Sequence, residues 1–225
     1  MPAEHRLTGL YGKHPAFGDF VSAGLPGDLT GLLAGWMQAV FGQWREDVGA
    51  GWQAAFDAAP PVRFWIGGEL TGGAALRGVW LPSQDRSGRR FPLMLAQVAG
   101  APPVHDPDQG FYDQAVTLVA GWRQAADFNP AAQDAVVHGL PEPAGVSVQS
   151  SGFWAANPGL GAVGLWPQLA GNDHAHAAAG RSYWWITALH DQGPAAVVAV
   201  QGWPDSGLLN WLLAGGQTSP HEMTP

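Results

Sequence analysis

The charged residues that could do chemistry in this chain are concentrated in two short, turn-rich segments, residues 12–21 and 82–93. The first segment carries Lys13 and Asp19, and the second carries one carboxylate among three arginines: Asp85, Arg86, Arg89 and Arg90. A carboxylate–arginine group can hold a phosphate or an oxyanion. The same group can equally form an internal ion pair that fixes two loops together, and the residue types alone leave both alternatives open.

Both segments also combine their charges with aromatic and turn-forming residues. Phe17 and Phe20 lie in the first segment beside Pro15 and Gly18, and Ser83 precedes the charged cluster of the second. Binding residues concentrate in loops on a rigid scaffold, and aromatic anchors with a charged rim suit a protein interface. We therefore expect a partner-binding surface here, with the alternative that glycine and proline only shape the turns.

A catalytic alternative rests on few residues. His174 and His176 would face the same way on an extended segment, and two imidazoles beside a carboxylate are possible metal ligands. A hydrolase could otherwise use Asp19 or Asp85. The sequence contains no phosphate-binding glycine loop and no Gly-x-Ser-x-Gly nucleophile elbow. Because no clear nucleophile or base accompanies these residues, we expect a non-enzymatic protein that needs no cofactor and no metal.

The composition excludes several classes of function. The chain has 225 residues, 46% of them apolar, so it can bury a substantial core. Its formal net charge is −8 and Lys13 is its single lysine, whereas a nucleic-acid binder normally presents a basic face. The absence of cysteine rules out disulfides and thiolate catalysis. No apolar run approaches the roughly 20 residues that span a bilayer, and no signal peptide is visible, so we expect a cytoplasmic protein.

Hydrophobic periodicity predicts helices that alternate with strands. Strands are predicted at residues 8–13, 62–66, 75–81, 91–98, 153–156, 183–189 and 195–201. Helices are predicted at residues 28–56 with a break at 49–51, and at 111–128, 130–137 and 205–213. Interleaved elements favour an α/β fold. The short connection between the third and fourth strands demands antiparallel pairing, so we expect a mixed, partly antiparallel sheet.

The two charged segments resemble the signature of the TagF family, also called ImpM, of type VI secretion-associated proteins. Gly-Lys-x-Pro-Ala-x-Gly-Asp-Phe-Val matches residues 12–21, and Gly-Val-x-x-Pro-Ser-x-Asp-x-x-Gly-Arg-x-Phe-Pro-Leu matches residues 78–93. A Ser-x-Trp-Trp strand that contains Trp184 and Trp185, followed by a Gly-Trp-Pro segment, resembles the end of the family pattern. Because two long motifs occur in the right order, the probability of a chance match is very small.

The resemblance implies a three-layer α/β/α sandwich formed by one domain over residues 1–225. Its signature portion covers residues 8–100, its C-terminal portion residues 101–215, and a frayed tail residues 216–225. The residues that the family pattern and the loops nominate for partner binding or for the motif itself are Lys13, Phe17, Asp19, Phe20, Ser83, Asp85, Arg86, Arg89, Arg90, Trp184 and Trp185.

The resemblance also implies a function, which we state as an expectation. It implies a bacterial, cytoplasmic protein that negatively regulates a type VI secretion system after translation, with no reaction of its own. The implied partner is a forkhead-associated scaffold component of that system. A PppA-like phosphatase of the same threonine phosphorylation pathway would be a separate protein. The alternative from a different class is a structural or accessory subunit of the secretion apparatus.

Overall fold

A seven-stranded sheet forms the centre of the molecule. The computed structural model describes residues 7–133, 137, 139–143, 174, 177–187 and 196–214. Within this part of the chain the strands stand in the spatial order β2-β1-β5-β4-β3-β6-β7. In chain order they are β1 (Thr8–Lys13), β2 (Phe20–Ala23), β3 (Val62–Ile66), β4 (Leu76–Leu81), β5 (Leu93–Val98), β6 (Arg181–Ile186) and β7 (Ala196–Gln201).

The helices form where apolar side chains recur every three or four residues. They are α1 (Gly27–Val48), α2 (Trp52–Asp57), α3 (Gly68–Thr71), α4 (Gly110–Gln124) and α5 (Ser206–Leu213). In α1 the buried side chains of Leu29, Leu33 and Met37 form one stripe, which faces the sheet. A 3₁₀ turn at Gly49–Gly51 separates α1 from α2, as the predicted break required. A second 3₁₀ turn covers Pro130–Gln133.

Helices cover both faces of the sheet, so the expected three-layer α/β/α sandwich is confirmed. Helices α1, α2 and α5 pack on one face, and α4 packs on the other. The alternation of a strand sends the two tryptophans of β6 to opposite faces. Trp184 lies 4.7 Å from the ring of Trp36 in α1, and Trp185 lies 4.7 Å from the ring of Tyr112 in α4. Both tryptophans are buried core residues.

The expectation of a mixed sheet is wrong, because every described strand pair is antiparallel. Interleaved helices suggested parallel neighbours, since a parallel pair requires a long crossover. Here the long connections join strands that are not neighbours: α1 and α2 lead from β2 to β3, and α4 lies between β5 and β6 in the chain. Some neighbouring strands follow each other in the chain, such as β1 and β2 or β4 and β5. Other neighbours, β1 with β5 and β3 with β6, are distant in sequence.

Most predicted elements are present with shifted ends. The predictions for β1 and β3 match their observed bounds, whereas β5 begins at Leu93 because Pro92 has no N–H to donate to the sheet. The predicted helix at 130–137 is a 3₁₀ turn at its start, and residues 134–136 lie outside the described residues. The predicted strand at 153–156 and the frayed tail at 216–225 also lie outside them. Among the described helices, none is long and apolar enough to cross a bilayer.

Candidate functional site

The sheet brings the two motif segments together at one end. Strands β1 and β5 are antiparallel neighbours with Gly12 opposite Leu93, so the turn after β1 and the turn before β5 leave the sheet side by side. We call residues 14–19 the first motif loop and residues 82–92 the second motif loop. Gly12 has a φ of +140°, and a Cβ at this position would lie 2.0 Å from the carbonyl oxygen of Pro92. Only glycine allows this approach.

Asp85 is the centre of the site. The residue is 1% exposed, and its carboxylate accepts four hydrogen bonds. Oδ2 accepts from Lys13 Nζ at 2.9 Å and from Arg89 Nε at 2.7 Å. Oδ1 accepts from the backbone N–H groups of Ser87 at 2.9 Å and Arg89 at 3.0 Å. The carboxylate is therefore held by donors from β1 and from the second motif loop.

The electrostatics of Asp85 favour its ionised form. Burial alone would raise the pKa of this carboxyl, because the charged form is less well solvated. The hydrogen bonds from Lys13, Arg89 and the backbone of Ser87 outweigh burial and hold the pKa well below its usual range. Asp85 is therefore a stable carboxylate, which balances the buried ammonium group of Lys13.

Two hydrogen bonds to backbone carbonyl oxygens complete the attachment of the loops to each other. The N–H of Arg86 donates to the carbonyl oxygen of Phe17 at 2.7 Å, and Arg89 Nη2 donates to that of Gly18 at 2.6 Å. Of the two alternatives that the sequence left open, the internal ion pair is the arrangement present. Lys13 is paired with Asp85 inside the structure, so its ammonium group is not free to bind a phosphate.

His14 is a site residue that the sequence reasoning missed. Its side chain is 1% exposed, Nδ1 accepts a hydrogen bond from the N–H of Ala16, and Nε2 lies 2.6 Å from the carbonyl oxygen of Trp122. A nitrogen that accepts from an N–H carries no proton, so His14 is the neutral tautomer with the proton on Nε2. Its ring stacks on Phe128 at 4.4 Å. His14 therefore attaches the first motif loop to α4. Its position within the family motif at residues 12–21 is the feature of the sequence that could have nominated it as a site residue.

The exposed charged and aromatic residues at the two motif loops are Asp19, Arg86, Arg89 and, at the start of β2, Phe20; we call these four residues the motif surface. The Phe20 ring is 37% exposed, stacks on Tyr11 at 5.4 Å, and lies 5.2 Å from Lys13 Nζ. The side chain of Arg89 is 61% exposed although its Nε pairs with Asp85. Within the described residues, the guanidinium of Arg86 has no hydrogen-bond or ion-pair partner. The motif surface thus offers an aromatic ring beside two arginines.

The remaining nominated residues lie elsewhere. Arg90 turns to α2, where its Nε and Nη2 form a bidentate pair with Asp57 at 2.8 and 2.7 Å. Phe17 is half-buried against Phe128, and the hydroxyl of Ser83 is buried without a hydrogen-bond partner among the described residues. Trp184 and Trp185 are buried in the core, so the structure does not bring them to the motif surface.

The residues of the catalytic alternative do not come together as a described site. Asp85 is fully engaged with the loops, and Asp19 accepts from the N–H of Phe20 at the surface. The ring of His174 stacks on His105 at 5.0 Å, and His176 lies outside the described residues. In the part of the chain that the structure describes, no three histidine or acidic side chains are grouped as metal ligands.

Comparisons with known proteins point in one direction. Residues 9–136 match the model of the TagF N-terminal domain, which is described as type VI secretion system-associated. The chain is similar to the crystal structure of PA0076 from Pseudomonas aeruginosa PAO1, with 28% identity over 97% of both chains and a TM-score of 0.74. No curated protein matches the sequence. The fold and the matched segment thus define a type VI secretion-associated protein. The chain belongs to the TagF family.

Proposed function

We propose that this chain negatively regulates a type VI secretion system after translation by binding another protein, and that it catalyses no reaction. The observation that carries the proposal is the fixed motif surface. The two loops that bear the family signature are joined through the buried pair Lys13–Asp85, while Phe20 and Arg86 remain exposed above it. Membership of the TagF family is the reason for proposing a type VI secretion system as the system that is regulated.

The preorganised loops favour binding as the task of the motif surface. Association costs less free energy when the binding groups are already fixed in the free protein. Here two inter-loop hydrogen bonds and a buried ion pair hold the backbone of both loops. Arginine and aromatic side chains supply a large share of binding energy at protein interfaces. Arg86, Arg89 and Phe20 are residues of these kinds, and they are exposed.

The proposed partner is a forkhead-associated scaffold component of the secretion system, and a separate PppA-like phosphatase acts in the same pathway. Support for this choice comes from the family resemblance. Support for a non-enzymatic role comes from Asp85, because a carboxylate with four hydrogen bonds and a low pKa is a poor general base. The protein is proposed to work in the cytoplasm, where the scaffold would be found.

Deletion and overexpression of the gene test the regulatory role. Deletion should increase the number of assembled secretion machines per cell, and overexpression should decrease it. No change in either direction would sink the proposal. Stoichiometric co-purification with assembled machines, together with loss of assembly on deletion, would instead identify a structural subunit.

A pair of variants at Arg86 tests the motif surface. Arg86→Glu should lose repression and weaken binding to the purified scaffold, because an exposed positive charge is reversed. Arg86→Lys keeps the charge and serves as the matched control. Both variants should melt at the wild-type temperature, since the side chain of Arg86 has no hydrogen-bond or ion-pair partner in the described structure. Wild-type binding by Arg86→Glu would remove the motif surface from the mechanism.

A further inference from the structure

An aromatic cavity adjoins the motif surface on the face of the sheet that α1, α2 and α5 cover. Its volume is about 210 Å³, and it lies between α1, α2 and the end of the second motif loop. Phe41, Trp52 and Phe91 contribute aromatic walls, and Gly42 and Arg45 line it from α1. The ring of Phe91 also lies 4.9 Å from that of the exposed Phe20. The cavity therefore adjoins the motif surface through the contact between Phe91, which lines it, and Phe20.

The size of the cavity limits what can occupy it. Sites for small molecules and cofactors usually have about 300–1,000 Å³. An apolar cavity of roughly 150 Å³ holds one benzene molecule. At about 210 Å³, this cavity is too small for a typical metabolite and large enough for one bulky side chain.

The arginines at the rim of the cavity indicate which charge a partner would place beside that side chain. Two arginines line the cavity, Arg45 and Arg90. Arg90 is neutralised by its bidentate pair with Asp57. Arg45 is exposed, its guanidinium lies 5.8 Å from the ring centroid of Trp52, and it has no ion-pair or hydrogen-bond partner among the described residues. One positive charge at the rim is thus unmatched in a chain whose net charge is −8.

We propose that this cavity receives a bulky apolar side chain from the protein partner, with an adjacent Asp or Glu of the partner bound by Arg45. The inference rests on the proposed binding function and adds the chemistry of the partner: a segment that places an aromatic or aliphatic residue beside a carboxylate. Arginine pairs with carboxylates in a bidentate geometry, and the apolar residue would fill a pocket, as interface anchors do.

Gly42 allows the cavity to be closed without damage to the fold. A Cβ on Gly42 would meet no other atom within 4 Å, so the side chain of Gly42→Leu can extend into the cavity. Gly35 lies in the same helix with the same free space, but it does not line the cavity. Leucine favours a helix more than glycine does. Gly42→Leu and its control Gly35→Leu should therefore both melt at or above the wild-type temperature.

A dipeptide titration tests the cavity independently of any partner. The probe is acetyl-Phe-Asp-amide at millimolar concentration, and the readout is the NMR signal of the Trp52 indole N–H. The signal should shift in the wild type and in Gly35→Leu and stay unchanged in Gly42→Leu. Acetyl-Phe-Lys-amide should bind more weakly, as should the acidic dipeptide with Arg45→Glu. No shift in the wild type, or equal shifts in the two glycine variants, would overturn the inference.

Binding of the purified scaffold separates this inference from the proposed function. Gly42→Leu should weaken scaffold binding by about tenfold or more, the effect of an interface anchor, and Gly35→Leu should not. Equal binding by both variants would overturn the role of the cavity and leave the proposed function standing. If the dipeptide binds but the wild-type protein does not bind the scaffold, the named partner fails and the cavity stands. Self-association that Gly42→Leu abolishes would identify a second copy as the occupant and overturn our choice.

Discussion

Lys13 Nζ lies 2.9 Å from Asp85 Oδ2, although 72 positions separate the two residues in the chain. Both side chains are buried, with exposures of 9% and 0%. A buried charge is tolerated when it is paired and when its remaining hydrogen bonds are satisfied. The backbone N–H groups of Ser87 and Arg89 supply those bonds. The two halves of the family signature therefore depend on each other for their conformation.

Asp85→Asn should destabilise the protein strongly. The substitution keeps the shape of the side chain but leaves the buried ammonium group of Lys13 without its counter-charge. Breaking a buried ion pair by removal of one partner costs about 3–5 kcal/mol. In a protein of this size each kcal/mol lowers the melting temperature by about 2–4 °C, so thermal denaturation should show a fall of about 10 °C.

Asp19→Asn is the matched control for that experiment. Asp19 is exposed in the first motif loop, and an asparagine oxygen can still accept the hydrogen bond from the N–H of Phe20. Its melting temperature should stay close to that of the wild type. If Asp85→Asn melts like Asp19→Asn, then the contact between Lys13 and Asp85 does not hold the loops together.

The contribution of Asp85 should depend on pH. Because the pKa of its carboxyl in the folded state lies below the value of about 3.9 in the unfolded chain, Asp85 stabilises the fold fully above about pH 4. This stabilisation is lost as the pH falls from there towards the folded-state pKa. Urea unfolding at several pH values should show the gap in unfolding free energy between wild type and Asp85→Asn narrowing below about pH 4. A gap that stays constant down to acid unfolding would contradict the low pKa.

Gly12→Ala should be as damaging as a change in the core. Its φ of +140° disfavours any side chain, and the Cβ would lie 2.0 Å from the backbone oxygen of Pro92, which cannot move aside as a side chain could. A strained residue alone costs about 1–3 kcal/mol, so with the clash we expect a loss of about 3 kcal/mol or more. Gly31→Ala in α1 meets open space and should instead gain about 0.5–1 kcal/mol. Chemical denaturation of both variants measures the contrast, and equal stability of the two would refute the account.

Local patterns in the sequence predicted the long elements well. The alternation in Val62–Ile66 and the break at Gly49–Gly51 act over a few residues, so they can be recognised without the tertiary structure. Strand β2 was missed because it has only four residues and follows a run of turn formers. The direction of the strands was wrong in part because it depends on which strands become neighbours, and no local pattern determines that.

The sequence predicted which residues form the site but not which of them contact each other. The motifs nominated Lys13, Asp85 and Arg89, which do form one cluster. Whether those charges face each other or a partner depends on the pairing of β1 with β5, which joins segments distant in sequence. The cavity beside Gly42 was missed for a similar reason: its aromatic walls come from two helices and a loop, and in the sequence they resemble ordinary core residues.

The pairing of β1 with β5 has a consequence for the newly made protein. On the ribosome, Lys13 is synthesised long before Asp85, so the contacts that join the first motif loop to the second cannot form until the second motif loop and β5 have been made. Closing so large a loop is slow compared with forming a helix or a hairpin. A nascent or truncated chain that lacks β5 therefore displays the first half of the signature without the loop conformation of the folded protein.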